Sequence, residues 1–334
     1  MRPPCRQRGV ALITAILITA LVSSVALNLA WDNALDLRRT MTLLYRDQAV
    51  QVAMGAESWV QSILGDDLAE TETDHLGEIW ASELPGLPVQ SDVVQGELFG
   101  VIEDLQGRFN INNLVDQNGE IDELALEQFR RLLLVLELDP RIAGIAADWI
   151  DANQEAGFPD GAEDAIYTGF IPAYRTPNLP ITHATEFAAL EGMDKESFDI
   201  LAPHIVALPG RTGINVNTAT AAVLQSLDEN LTASDVESLI SERENGGFAD
   251  LQNTFSTLVA PEVLPQLEET TSYFQLRLVV QIATVRIIYF STLQRGATGQ
   301  VVPILRSLGT TRRWQNFWSF GSAPTKTLMR AGLR

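Results

Sequence analysis

The 334-residue chain has one cysteine, Cys5, and three histidines, His75, His183 and His204. A single thiol closes no disulfide within the chain, so no covalent staple holds the fold in any redox compartment. The histidines are far apart in sequence and form no metal-binding pair. Gly-x-Ser-x-Gly, Walker and dinucleotide fingerprints are all missing. With no nucleophile or base beside its carboxylates, the chain is expected not to be an enzyme. Positive charge is scarce as well: 23 Lys and Arg stand against 43 Asp and Glu, for a net charge of −20. So acidic a chain repels nucleic acid, and no nucleic-acid partner is expected. The C-terminus is the exception. Arg306, Arg312, Arg313, Lys326, Arg330 and Arg334 fall in a stretch without an acid that also carries Trp314, Phe317, Trp318 and Phe320. It reads as a flexible basic tail or as a docking peptide.

Charge is missing altogether from Val10 to Trp31, 22 residues that end at Asp32. As a helix this run spans roughly 33 Å, enough for a bilayer core of about 30 Å. Arg2, Arg6 and Arg8 precede it, so the positive-inside rule places the N-terminus in the cytoplasm and the remainder outside. An ordinary secretory signal is cut after its apolar stretch. Here the candidate processing site, Gly9, lies before it, and cutting there leaves Val10 at the head of the mature chain. This arrangement resembles the type IV prepilin leader; by hydropathy alone an uncleaved signal anchor reads the same. Removing residues 1–9 takes away Cys5 and three arginines, and three fewer positive charges on −20 leave −23.

Met41, Tyr45, Ala49, Ala53, Ala56, Val60 and Ile63 recur at spacings of three and four, one stripe of a helix that continues past the membrane. Gly65-Asp66-Asp67 is its expected stop, so the helix is predicted over 10–64. A polar loop with Pro85, Gly86 and Pro88 follows, and then a β-like segment from Leu98 to Ile111 with a turn at Gly107. The next β signal begins at Tyr273, where Phe274, Leu276, Leu278, Val280 and Ile282 alternate with polar residues. Further strands are expected within 285–293 and 301–308. About 160 residues of helical character lie between. The predicted fold class is α+β, a helical domain inserted into a sheet domain. The divisions are 1–9 leader, 10–64 helix, 65–111 first part of the sheet domain, 112–271 all-α insert, 272–308 strands and 309–334 tail.

The insert repeats itself weakly: Phe109-Asn110-Ile111-Asn112-Asn113-Leu114 echoes Ile214-Asn215-Val216-Asn217-Thr218-Ala219. The Asn or Thr oxygens can cap a following helix. The second copy, with Glu242 to Phe248, looks like the helix-hairpin-helix (SAM-like) modules of DNA-uptake proteins. Such modules hold phosphate on a Gly-rich hairpin, whereas Asp228-Glu229-Asn230-Leu231-Thr232 has two acids and no glycine. A protein-interaction domain of that ancestry fits better.

Asp148, Asp151, Glu155, Asp160, Glu163 and Asp164 are concentrated without a Lys or Arg between Arg141 and Arg175. Unpaired carboxylates at this density repel, and a hard cation is the usual remedy. Asp151 to Glu155 presents oxygens at alternate positions, and Gly157, Pro159 and Gly161 turn the chain back toward Glu163 and Asp164. Asn153 and Asn178 add neutral oxygens. Asp151, Asn153, Glu163, Asp164 and Asn178 are therefore candidate ligands for one or two Ca²⁺ ions; a solvated acidic loop is the other reading. Asp116 to Asp122 departs from the EF-hand spacing and reads as a turn followed by a helix cap.

These residues together resemble the minor pseudopilin K family of type II secretion (general secretion pathway protein K). The resemblance rests on Gln7 to Ile13, Gly107 to Leu114, Asp148 to Asn153, Gly161 to Asp164 and Gly213 to Ala219. It implies a type IV pilin-like fold with a long N-terminal helix packed on an antiparallel sheet and a large inserted α-domain. Calcium in that domain, cleavage between Gly9 and Val10 by prepilin peptidase and N-methylation of Val10 are also implied. The location implied is the inner membrane, with the globular part in the periplasm. The partners implied are minor pseudopilins I and J with H as a further one, major pseudopilin G and the inner-membrane platform. The outer-membrane secretin or the cargo would face the head. Most pilins carry Glu at the fifth mature position to neutralise a neighbour's amine; here that position is Thr14. A subunit with none above it has no amine to neutralise. Together with the bulky insert, this favours a cap or initiator at the pseudopilus tip. A tip subunit of a related type IV filament, or a membrane-anchored DNA-uptake protein, is the alternative.

Overall fold

The computed structural model describes residues 10–90 and 95–309. Helix α1 (Val10–Glu70) is 61 residues long, about 90 Å at 1.5 Å per residue. Among the described residues it is the one helix long and apolar enough to cross a membrane. Its apolar first part is exposed, whereas Ala49, Ala53, Glu57, Val60 and Leu64 are buried. The stripe read from the sequence is the packing face, with Met41 beyond its exposed end. The helix runs past the expected stop at Leu64. Gly65 lies where an added Cβ would stand 2.7 Å from the Gly299 carbonyl oxygen, so this glycine lets a strand turn approach the helix rather than ending it.

That face covers a five-stranded antiparallel sheet in the order β1-β2-β7-β8-β9. Its strands are β1 (Leu84–Gln90), β2 (Gln95–Asp104), β7 (Tyr273–Ile282), β8 (Val285–Arg295) and β9 (Val301–Gly309). The period-two pattern of β7 turns Phe274, Leu276, Leu278, Val280 and Ile282 toward α1, where they join Trp80, Leu98, Ile102, Tyr289 and Leu293 in one core. Two details differ from the sequence expectation. The segment with Pro85, Gly86 and Pro88 is an edge strand, not a loop; proline is tolerated there because an edge N–H can go unpaired. The last strand ends at Gly309. The leader 1–9 and the tail from 310 lie outside the described residues.

β2 and β7 are sheet neighbours, yet the whole head lies between them in sequence. The head has its own core, built around Phe109, Phe129 and Phe187, with ring centroids 5.1 and 5.9 Å apart. Its helices are α2 (Glu123–Val135), α3 (Ile142–Ile150), α4 (Asp164–Tyr167), α5 (Lys195–Leu201), α6 (Ala221–Ser226), α7 (Ala233–Arg243) and α8 (Leu251–Phe255). Mostly helical, it is not all-α. β3 (Phe109–Asn110) pairs in parallel with β4 (Ile205–Val206), and β5 (Ile214–Asn215) with β6 (Leu267–Glu268). Phe109 to Ile111 thus belong to the head, which starts before the boundary read at 112.

The internal echo is structural, and its first copy caps a helix as expected: Asn110 Oδ1 accepts from Asn112 N–H at 3.2 Å at the start of a short 3-10 helix, Ile111–Leu114. Each copy gives a two-residue strand followed by buried asparagines that stitch distant loops. Asn112 donates to the Ile181 and Leu208 carbonyls, both at 2.9 Å, and accepts from Ile181 N–H at 2.8 Å. Asn217 donates to the Phe248 carbonyl at 3.1 Å and accepts from Phe248 N–H at 2.6 Å. The side chain that caps α6 is Thr220. Asp116 to Asp122 folds as expected: Asn118 N–H donates to Asp116 Oδ1 at 2.7 Å, and Asp122 caps α2.

Candidate functional site

The acidic run of the head folds around the end of α3. This helix is apolar nearly throughout, and it carries Asp148 inward, 1 % exposed. Asp151, fully buried, closes the helix: its N–H donates to the Ala147 carbonyl at 2.9 Å. The chain then turns back through Gly157 and Gly161 to Glu163, which precedes α4 and is also buried. Asp148 Oδ2 accepts from Gly157 N–H at 2.9 Å. A Cβ at Gly157 would stand 2.8 Å from Asp148 Oδ1, so only glycine lets the loop close this tightly. Trp149, Tyr167 and Tyr174 wall the loop, with Trp149–Tyr167 and Tyr167–Tyr174 centroids 5.1 and 5.3 Å apart.

Three of the sequence-derived candidates keep a buried oxygen that accepts nothing: Asp151 Oδ1, Glu163 Oε1 and Asn178 Oδ1. Asp148 Oδ1, which the sequence reading left outside the ligand set, is in the same condition. Asn178 is held with φ of 48°, and its amide donates to the Asn153 carbonyl. The other two candidates are already engaged. Asn153 Oδ1 accepts from Glu155 N–H at 2.6 Å. Asp164 accepts from Arg175 Nη1 at 2.8 Å and Thr176 N–H at 3.1 Å. Thr176 Oγ1 also donates to Glu163 Oε2 at 2.8 Å. Burial raises the Asp148 carboxyl. Burial, then the charges of Asp148 and Glu163, push Asp151 up to about 7. Buried carboxylate oxygens without donors are costly, and a hard cation with oxygen ligands is one way to satisfy them.

At the other end of the molecule Val10 opens α1, and Gly9 lies outside the described residues. Thr14 donates to the Val10 and Ala11 carbonyls at 3.1 and 3.0 Å. Its hydroxyl is therefore satisfied on its own helix, as an apolar surrounding requires.

The family model for protein K of the type II secretion system matches residues 107–210 and 214–271. Type II secretion system protein K of Pseudomonas aeruginosa is 34 % identical over 316 residues, which cover 91 % of this chain and 93 % of that protein. The chain belongs to the type II secretion system protein K family. The Aeromonas hydrophila protein K is 30 % identical, over 92 % of this chain and 99 % of its own length. Among solved structures, the complex of GspK, GspI and GspJ from enterotoxigenic Escherichia coli contains a chain with the same fold. Its TM-score is 0.72 at 24 % identity, covering 82 % of this chain and all of the other. As a protein K, the chain serves type II secretion as a minor pseudopilin. In this frame α1 supplies the membrane anchor and the stalk, and the domain matched by the family model is the head.

Proposed function

We propose that this protein K caps the tip of a periplasmic pseudopilus and helps initiate its assembly. Thr14 carries the reading. A glutamate at that position would neutralise the terminal amine of a subunit stacked above, whereas Thr14 carries no charge and its hydroxyl proton is donated to its own helix, so it cannot neutralise such an amine. The head supports the same place, because a domain of this size inserted between β2 and β7 obstructs further subunits above it. The N-terminus would be cytoplasmic and the sheet and head periplasmic, after prepilin peptidase cuts between Gly9 and Val10 and Val10 is methylated. The stalk would pack against minor pseudopilins I and J, as GspK assembles with GspI and GspJ in the Escherichia coli complex. H, the major pseudopilin G and the inner-membrane platform would follow below, with the secretin or cargo above the head. The α6–α7 pair would be a helix-hairpin-helix relative turned to protein contacts. The work is mechanical, without catalysis.

Asp151, Glu163 and Asn178, with Asn153 and Asp164 beside them, would hold structural Ca²⁺. The support is the set of buried oxygens without donors. The ion would supply the charge that lets the α3–α4 loop keep one shape; it is not routed into any reaction.

The deciding experiment is a clean gene deletion, with exoproteins measured in periplasm and medium. Folded exoproteins held in the periplasm and released on complementation are expected. Intact secretion in the deletion strain would refute the role. Thr14→Glu then tests the tip: impaired initiation with a stable protein is expected, and unchanged assembly would leave the position resting on the head alone.

A further inference from the structure

A second acidic cluster lies at the seam where the stalk, the sheet and the head meet. Asp67 is in the last turns of α1, and Asp74 and Glu78 are in the loop that follows it. The three offer one carboxylate oxygen each, all within 4.8 Å of one another. Asp74 is 1 % exposed and Glu78 9 %. Each already spends one oxygen on the protein. Asp74 Oδ2 accepts from Thr271 N–H at 2.7 Å and from Arg295. Glu78 Oε2 accepts from His75 N–H at 3.1 Å and Trp80 Nε1 at 2.6 Å. The remaining oxygens, Asp74 Oδ1 and Glu78 Oε1, are sealed from water and accept no hydrogen bond. His75 Nε2 stands 3.9 Å from the latter, too far to donate to it.

Among the described residues the charge is compensated only in part. Arg295 is the guanidinium of the cluster; besides Asp74 it bonds Asp67 Oδ2 and the Leu64 carbonyl, both at 3.2 Å, and the Thr271 carbonyl at 2.8 Å. Three carboxylates against one guanidinium leave two negative charges. Burial and the charges of Glu78 and Asp74 push the Asp67 carboxyl up to about 7. Oxygen separations up to 4.8 Å match opposed ligands at about 2.4 Å from a central calcium.

We propose that Asp67, Asp74 and Glu78 form a divalent-cation site, filled by calcium, that clamps the head to the stalk. It is separate from the α3–α4 loop and stands or falls without it. The clamp would join the end of α1 to the end of β8 through Arg295. It would also reach the entry to β7, because Asp74 N–H donates to the Glu269 carbonyl at 2.8 Å and Asn215 Nδ2 donates to the Asp74 carbonyl at 3.0 Å. Calcium is the harder, oxygen-seeking choice, with no thiol or imidazole needed and water completing its shell.

The test is equilibrium dialysis of Ca²⁺ at millimolar concentration with the full chain in detergent micelles. Three forms are compared: wild type, Asp67→Asn with Glu78→Gln, and Asp151→Asn with Glu163→Gln. The first pair of substitutions spares the Asp74–Arg295 ion pair. It is expected to lower stoichiometry by one ion, and the second pair to leave at least one ion bound. Tb³⁺ luminescence excited through indole, read in the second variant, is expected to fall severalfold on adding Trp80→Phe. Wild-type stoichiometry in the Asp67/Glu78 variant overturns the proposal. Should that variant fail to fold, the Asp151/Glu163 variant decides alone: one ion with Trp80-sensitised Tb³⁺ supports the site, and no bound ion overturns it.

Discussion

Glu57 sits in the middle of the apolar face of α1, 1 % exposed, and this makes Arg306 of β9 the more damaging residue to remove. Arg306 Nη2 donates to Glu57 Oε1 at 2.6 Å and Nε to Oε2 at 3.0 Å, and the Tyr289 hydroxyl donates to the same carboxylate. Burial alone would raise the Glu57 carboxyl, but the Arg306 and Tyr289 hydrogen bonds outweigh it and hold the group below the usual glutamate range. The Arg306 side chain is 46 % exposed. Arg306→Met covers the same stem yet leaves a buried carboxylate without its cation, which costs about 3–5 kcal/mol for a fully buried pair; half-exposure brings this to about 3 kcal/mol. Glu57→Gln keeps size and one acceptor while Arg306 turns to water, at about 1–2 kcal/mol. Making both changes removes the buried charge, so the double variant should be more stable than Arg306→Met alone by about 1 kcal/mol or more. The assay is urea unfolding of the full chain in detergent micelles, followed through Trp80, which packs on Phe274 beneath α1. The sign with pH follows from the lowered value. The pair's contribution is present above the ordinary glutamate range and lost as pH falls through the folded value. The Arg306→Met deficit should therefore be largest at pH 7 and shrink toward pH 4. A double variant less stable than Arg306→Met, or a deficit that grows in acid, would refute the reasoning.

Two further outcomes concern the head. Asp151 is raised to about 7 against an ordinary value of 3.8, so in chelator its contribution is intact below about pH 4 and lost as pH rises through 7. Calcium needs the carboxylate, so the melting difference between calcium and EDTA should be small at pH 5 and grow toward pH 8; an equal difference at both ends would count against ion binding there. Gly161→Ala drives a methyl group into Asp148 and the Gly157 backbone and should cost about 1–3 kcal/mol, read by calorimetry as a lower head transition with a weaker calcium response, whereas Gly192→Ala, with open space around it at φ of 74°, should leave that response alone.

How much of this was legible in the sequence depends on the range of the signal. The stripe from Tyr45 to Ile63 and the alternation from Phe274 to Ile282 are local periodicities, and each became one face of the sheet-domain core. The acidic run of the head was visible because its members are close in sequence, although Asp148 looked no different from Glu155 until α3 turned one inward and left the other in solvent. β1 was misread because Pro85, Gly86 and Pro88 carry a loop signature, and only its place at the sheet edge makes that composition compatible with a strand. Gly65 looked like a helix stop because its real reason, the approach of Gly299, is more than two hundred residues away. Glu57, Asp74 and Arg295 gave no local sign, since each draws its meaning from a partner on a distant element.

The same distinction explains how a head is fixed on a stalk when the two have separate cores. The join between them is polar. Asp104, at the end of β2, accepts four hydrogen bonds: from Gln106 N–H and Thr271 Oγ1, both at 2.7 Å, from Asn215 Nδ2 at 2.8 Å, and from Thr218 Oγ1. Gln106 accepts from Ser272 N–H at 2.6 Å and donates to the Gly213 carbonyl at 3.3 Å. Among the described residues, a small apolar cluster of Leu105, Val206, Leu208 and Tyr273 accompanies these bonds. Apolar packing tolerates sliding, because burial is nearly indifferent to direction. A buried carboxylate with four donors does not, since each lost partner leaves a desolvated group unmatched. The seam thus adds little net stability for its size, but it permits few angles between head and stalk. For a subunit proposed to cap a pseudopilus, that restriction would be the useful property of a polar seam between two cores.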